Sequence, residues 1–269
     1  MNNYLSDPLS LFSVKDKVVV ITGASGAFGS MAAELMAAAG ARLILAAGNK
    51  LELEMVLTKC KSYGVELDSV GLRPSSEENC EAIIQAAIDN FGRVDVLIVG
   101  SGKNDKAKID EMSTERFLDV MDANVTQSWL IAKSASKQMQ EQGDGGRIIF
   151  MSSIRGLLGA AHGYSAYCAS KAAIDGMTRA LGCELGASGI TVNAIAPMVF
   201  RSKLTAWMFE DTELANEVRN GTVMRMPKGR LSEPDDLAGP LLFLASQASD
   251  FYTGHILSLI HISEPTRPY

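Results

Sequence analysis

Lys17-Val18-Val19-Val20-Ile21-Thr22-Gly23-Ala24-Ser25-Gly26-Ala27-Phe28-Gly29 decides the fold. Five β-branched residues in a row, closed by glycine, are too short for a helix and too uniformly apolar for a half-exposed strand. They read as a strand buried on both faces. Phe28–Ala39 is rich in alanine and methionine and reads as a helix ended by Gly40. Between them, the glycines permit a tight turn and let backbone approach a pyrophosphate. The helix start offers unpaired N–H groups and the positive end of its dipole. A plain glycine-rich turn is the alternative; the place after a first strand favours a dinucleotide.

Outward from that stretch, strands alternate with helices. Strands are expected at Arg42–Ala46, Leu67–Leu72, Val94–Val99, Arg147–Met151 and Ile190–Ile195. Helices are expected at Leu51–Tyr63, Glu77–Asn90, over one long stretch Thr114–Gln140, and at Tyr164–Leu185. Alternation of this kind means parallel pairing through right-handed crossovers. The expected class is α/β: a doubly wound parallel sheet of Rossmann type in a single domain, with no internal repeat or linker.

Composition narrows the function. The chain has 269 residues, 47% of them apolar, and a net charge of −6. That length supports one large core, and the charge shows no basic patch for nucleic acid. Lys103, Lys106 and Lys108 are interrupted by Asn104 and Asp105 and read as a solvated loop. Cys60, Cys80, Cys168 and Cys183 lie far apart, as expected of small core residues or free thiols in a reducing cytoplasm. The three histidines have no ligand spacing, so no metal is expected. No leader and no membrane-spanning run is expected.

The chemistry concentrates in Tyr164-Ser165-Ala166-Tyr167-Cys168-Ala169-Ser170-Lys171, preceded by Ser152 and Ser153. A tyrosine four residues before a lysine shares its helix face. The Lys171 ammonium is expected to lower the Tyr167 pKa, which suits proton exchange with an alcohol or carbonyl oxygen near neutral pH. A serine hydroxyl at the end of the preceding strand can hold the same oxygen.

Taken together these stretches resemble the classical short-chain dehydrogenase/reductase family, over about Lys17 to His255. Thr22, Gly23, Ala27 and Gly29 stand on its opening glycine motif, with alanine in place of the middle glycine and Gly26 just before it. Further likeness lies in Asn193-Ala194-Ile195-Ala196-Pro197 and in Gly229 through Ala238. The resemblance implies a catalytic tetrad: Tyr167 as general acid/base, Lys171 tuning it and holding the nicotinamide ribose, Ser153 orienting the substrate oxygen, and Asn124 supporting a water-linked relay. It implies cofactor contacts at Thr22, Gly23, Ser25, Gly26, Phe28, Gly29, Asn49, Arg73, Gly100, Tyr167, Lys171, Pro197 and Ser202. Ser152 is expected to be structural and Tyr164 to line the pocket. The chain departs from the family at Val99-Gly100-Ser101-Gly102, at Arg73 where an aspartate is usual, at Met198 and at Ser202.

The residues Ala46-Ala47-Gly48-Asn49-Lys50 lack the acid that grips the ribose 2′-hydroxyl of NAD. NADP is therefore the expected cofactor, with Asn49, Lys50 and Arg73 near its phosphate; a solvated Lys50 is the alternative. The segment Met198–Met226, carrying Trp207, Met208, Phe209 and Met224, is either a lid or a set of core contacts. Arg155 and Arg201 suit a carboxylate, or else lie at the surface. The expected function is interconversion of a secondary alcohol and a ketone by hydride transfer, on a sugar or sugar acid. The alternatives are 3-oxoacyl reduction and a non-catalytic dinucleotide-binding regulator, though the tetrad is complete. A homo-tetramer or dimer is expected from the resemblance. The tail Leu257–Tyr269 resembles a sequencing adapter translated in frame; 257–269 is expected to be a non-native scar beside a domain at 1–256.

Overall fold

Val18 and Val20 point to one face of a sheet and Val19 and Ile21 to the other, and all four are fully buried. The computed structural model describes residues 5–159, 163–202, 205–224 and 226–259. In chain order its elements are β1 (Val18–Thr22), α1 (Ala27–Ala38), β2 (Arg42–Ala46), α2 (Lys50–Lys61), β3 (Leu67–Val70), α3 (Glu77–Phe91), β4 (Val96–Val99), α4 (Thr114–Met121), α5 (Gln127–Gln142), β5 (Gly146–Met151), α6 (Ser165–Leu185), β6 (Ile190–Ala196), α7 (Glu213–Val223), α8 (Ala238–Ala245) and β7 (Ile256–Ser258).

The described strands form one parallel sheet in the order β3-β2-β1-β4-β5-β6-β7. The doubly wound expectation holds. α1, α2 and α8 cover the face carrying Val19, Ile21, Leu43 and Ile98, while α3, α5 and α6 cover the face carrying Val20, Ile44, Leu97 and Phe150. Each such side chain contributes about 1.5–3 kcal/mol on leaving water. Thr22 pairs with Ala46 on one side and Val99 on the other, so the C-terminal ends of β1, β2 and β4 are level. The order reverses between β1 and β4, and a crevice opens outside strand ends at such a switch point.

Three local outcomes differ from the periodicity. The stretch Thr114–Gln140 is not one helix: a π-turn at Asp122–Thr126 separates α4 from α5, closed by the Gln127 amide donating to Asp122 O. Apolar spacing runs through such an insertion, so pattern alone does not see it. Met198–Met226 contains a 3-10 turn at Ala206–Phe209 and then α7. α8, uniformly apolar, is a buried helix without the amphipathic pattern that announces one. At the far end, Ile256 and Leu257 pair with Ala194 and Ile195, and Leu257 and Leu259 pack on the core. The first residues of the expected scar thus complete the sheet; 260–269 lie outside the described residues.

Candidate active site

Glycine builds the first half of the site. Gly23 has φ +65°, and a Cβ on it would lie 2.5 Å from Ser101 N. A Cβ on Gly29 would lie 2.1 Å from Gly23 O. No side chain fits at either place, so backbone from β1, α1 and the β4 end closes to contact. Gly26 stands at the N-cap of α1, which has no side-chain cap, and lines the crevice. Phe28 is buried, and a Cβ on Gly100 would sit 3.1 Å from its ring. Thr22 Oγ1 lies 3.5 Å from Ser101 Oγ. The result is a cavity of about 550 Å³ lined by Gly23, Ser25, Gly26, Asn49, Arg73 and Gly100, among others.

At the β2 end no carboxylate occupies 46–49. Asn49 caps α2, accepting from Glu52 N at 3.3 Å. Arg73 lies across Gly48, where a Cβ would approach Nε to 2.6 Å, and Lys50 lies across Gly71. Arg73 lines the cavity, whereas Lys50 packs over Gly71 outside its lining.

The second half is made of side chains. Ser153 follows β5 and caps the next turn, accepting from Arg155 N at 3.2 Å. Its hydroxyl also shares a hydrogen bond with the Tyr167 phenol. Lys171 lies one turn along α6, with Nζ 5.6 Å from the Tyr167 ring centre and donating to Met151 O at 2.7 Å. The fold therefore brings Ser153, Tyr167 and Lys171 together. Burial pushes the Lys171 ammonium down to about 8. The sequence reading has Lys171 lowering the Tyr167 pKa; in the fold burial raises it, and the Ser153 bond is the leading effect against that rise.

Asn124 rides on the π-turn, 1% exposed. Its amide donates to Lys103 O at 2.9 Å and Ser170 Oγ at 2.8 Å, and accepts from Lys103 N at 2.6 Å. A Cβ on Gly102 would sit 3.3 Å from Asn124 Oδ1 and 3.7 Å from Lys171 Nζ, so Asn124 joins the same cluster. Its side chain spends its bonds on holding the loop after β4 against α6. Pro197 accepts from Ile154 N at 3.1 Å, and Ser202 Oγ lies 3.0 Å from Thr205 Oγ1.

The loop after β4 is not merely solvated, as its charge pattern suggests. Lys103 pairs with Asp119, Arg116 grips Asp105, and Lys106 stacks on Tyr164 at 4.9 Å. Its partners lie outside the loop itself, on α4 and beside α6, which no local pattern reveals. Arg201 pairs with Glu233 at 3.3 Å and stacks on Phe209 at 3.8 Å. Arg155 donates to Gly159 O and acts on Tyr167 through its charge. Met208 joins Ile154, Met198, Met226 and Leu231 in a small cluster, whereas Met224 is exposed. The apolar residues of that segment are thus split between core contacts and surface. Ser170 and Asp175 were not singled out by the sequence; both fall in the apolar stripe of α6, where a buried polar residue is the signal.

Residues 17–213 match the family described as short chain dehydrogenase. The chain is 44% identical to an uncharacterised oxidoreductase of Mycobacterium tuberculosis, over 93% of this chain and 92% of that one. It is 31% identical to the 2-dehydro-3-deoxy-D-gluconate 5-dehydrogenase of Dickeya dadantii, over 93% and 96%. The crystal structure of a short-chain type dehydrogenase/reductase from Mycobacterium marinum superposes with a TM-score of 0.84 at 28% identity, covering 93% and 96%.

Proposed function

The chain belongs to the short-chain dehydrogenase family and is an oxidoreductase of the kind that uses NAD or NADP, and on that footing we propose that it interconverts a secondary alcohol and a ketone at Ser153, Tyr167 and Lys171. The observation that carries this is the convergence of those three side chains beside a glycine-walled cavity of about 550 Å³. The cavity suits a dinucleotide because five glycines, Gly23, Gly26, Gly48, Gly100 and Gly102, line it, and at Gly23 any Cβ would collide with the neighbouring backbone. Gly23, Gly26 and Gly29 would receive the pyrophosphate, Lys171 the nicotinamide ribose, and Ser202 and Pro197 the carboxamide. When bound, the nicotinamide supplies or accepts the hydride.

The residues do the rest. Ser153 holds the substrate oxygen by a hydrogen bond. Tyr167, protonated at neutral pH, gives its proton to that oxygen during reduction and takes it back during oxidation. Lys171, charged below about pH 8, stabilises the phenolate left behind. Asn124 fixes the loop that carries Gly102 beside Lys171.

NADP is the proposed cofactor, supported by the acid-free β2 end and by Lys50 and Arg73 beside it. The proposed substrate is a sugar or sugar acid. Arg155 supports this: its charge is felt at Tyr167 and no described carboxylate pairs with it. The apolar cluster of Ile154, Met198 and Met208 is the observation that favours 3-oxoacyl reduction instead. Exposed Leu118 and Trp129 on α4 and α5 support assembly into a homo-dimer or tetramer. A screen of sugar acids, sugars and 3-oxoacyl thioesters with both cofactors, read by nicotinamide absorbance, tests the reading. Turnover of a sugar acid with NADP, lost in Arg155→Ala and spared with neutral sugars, is the expected result; absence of any turnover overturns it.

A further inference from the structure

Tyr167, Lys171 and Asp175 follow one another at intervals of four along α6 and so share one face. Asp175 is 2% exposed. Its Oδ1 accepts the hydroxyl of Ser152, itself buried, whose Oγ also lies 3.5 Å from Lys171 O. Its Oδ2 is buried and has no hydrogen-bond partner. Gly156 is pressed onto this carboxylate: a Cβ there would lie 2.5 Å from Oδ2 and 2.9 Å from Lys171 O. A buried, half-satisfied carboxylate is costly, and the chemistry of Ser153 and Tyr167 makes no use of it. Lys171 has the converse problem: a 3% exposed ammonium whose bond goes to a neutral carbonyl. Opposite charges one helical turn apart in low dielectric relieve one another.

We propose that Asp175, held by Ser152, is the counter-ion of Lys171, a positioning residue that keeps the buried ammonium charged and the tyrosine–lysine pair in its working state. This rests on the reading of Tyr167 and Lys171 given above. Burial opposes charge on both groups; Asp175 is the charge acting against that at Lys171, and the Ser152 bond leads the opposition at Asp175. The surrounding charges are otherwise engaged. On α6 itself, Arg179 acts on Asp175 and Tyr167 is neutral. From the turn after β5, Arg155 faces Tyr167. On α4 and the π-turn, Arg116 binds Asp105, Asp119 binds Lys103, Asp122 binds Gln127, and Glu115 bonds Ser113. On β5, Arg147 binds Asp250, and β6 carries no titratable side chain.

The test is a titration of the full chain labelled with 13Cε-lysine, the Lys171 resonance being the one lost in Lys171→Met. The unchanged protein should titrate at about 8. Asp175→Asn should lower that midpoint by about one unit, the low end for losing a neighbouring opposite charge. Ser152→Ala should move it the same way, because an unsupported Asp175 takes up a proton. The alkaline limb of kcat/KM should follow the midpoint, whereas a purely structural role lowers activity equally at every pH. An unmoved midpoint in both variants overturns the proposal, and if Asp175→Asn does not fold, Ser152→Ala decides alone. A shifted midpoint in a protein that turns over no carbonyl substrate supports the counter-ion and overturns the catalytic reading of the site.

Discussion

The two halves of the cleft are built by opposite means. Around β1 and β4 the walls are backbone, with Gly23 and Gly29 packed so closely that no side chain can enter. Around α6 and the segment after β6 the walls are side chains, and the fold tolerates there a buried lysine, a buried carboxylate and a small cluster of methionines. A phosphate asks only for N–H groups and closeness, which backbone supplies in any sequence with glycine in the right place. Proton transfer asks for groups of tuned acidity, and tuning means burial that stability alone would not choose.

The sharpest way to break this contrast is to put a side chain into the backbone half. Gly29→Val should abolish cofactor binding and leave little soluble folded protein, since its Cβ would overlap the Gly23 carbonyl at 2.1 Å. Cofactor-induced protection against thermal unfolding reads this directly, and normal binding would show that the cradle is looser than its geometry. On the other side, Lys171 falls from 10.5 to about 8 on folding. The unfolded chain then binds more protons between those values, so its burial penalty, present below pH 8, fades as pH rises through that window. The stability of the unchanged protein relative to Lys171→Met should therefore rise by about 3 kcal/mol across it. Taking the difference is needed because Cys60 and Cys80, raised to about 11, tilt both curves the other way at the alkaline end.

Tyr167→Phe comes next: kcat should fall at least ~100-fold with cofactor binding intact. Loss of binding as well would mean the phenol belongs to the cradle. Smaller still, Ala47→Asp should shift the ratio of kcat/KM values toward NAD by roughly 10-fold, the size of about 1.4 kcal/mol. A protein already favouring NAD would refute the NADP assignment. The smallest loss of stability is expected in the methionine cluster after β6. Met208→Ala should cost about 2 kcal/mol in a cluster of five buried side chains and alter KM, whereas Ile98→Ala in the sheet should cost about 3 kcal/mol. Equal melting-temperature losses would show that cluster to be as firmly packed as the core.

The primary structure was enough for the architecture and for naming Ser153, Tyr167 and Lys171 as candidates, which the fold brings together. Strand β1 and the glycine turn are local facts: period, propensity and φ requirements are carried by neighbouring residues, and Tyr167 and Lys171 meet because four residues make one helical turn. Even the acid-free β2 end is readable in five consecutive letters. What needed the tertiary fold is everything that depends on a distant partner. Asn124 is placed by a π-turn hidden inside a helical pattern, and its amide is spent on Lys103 and Ser170. Lys103 and Lys106 turn from loop charges into anchors only because Asp119 and Tyr164 come to them. Tyr167 is raised rather than lowered because acidity follows burial, and burial belongs to no single segment. Asp175 is an ordinary helix residue in sequence; it becomes a buried carboxylate behind a buried lysine only when β5 brings Ser152 and Gly156 against it. Local periodicity fixes which groups exist and which way each element faces; long-range packing fixes their dielectric and their neighbours, and with them their chemistry.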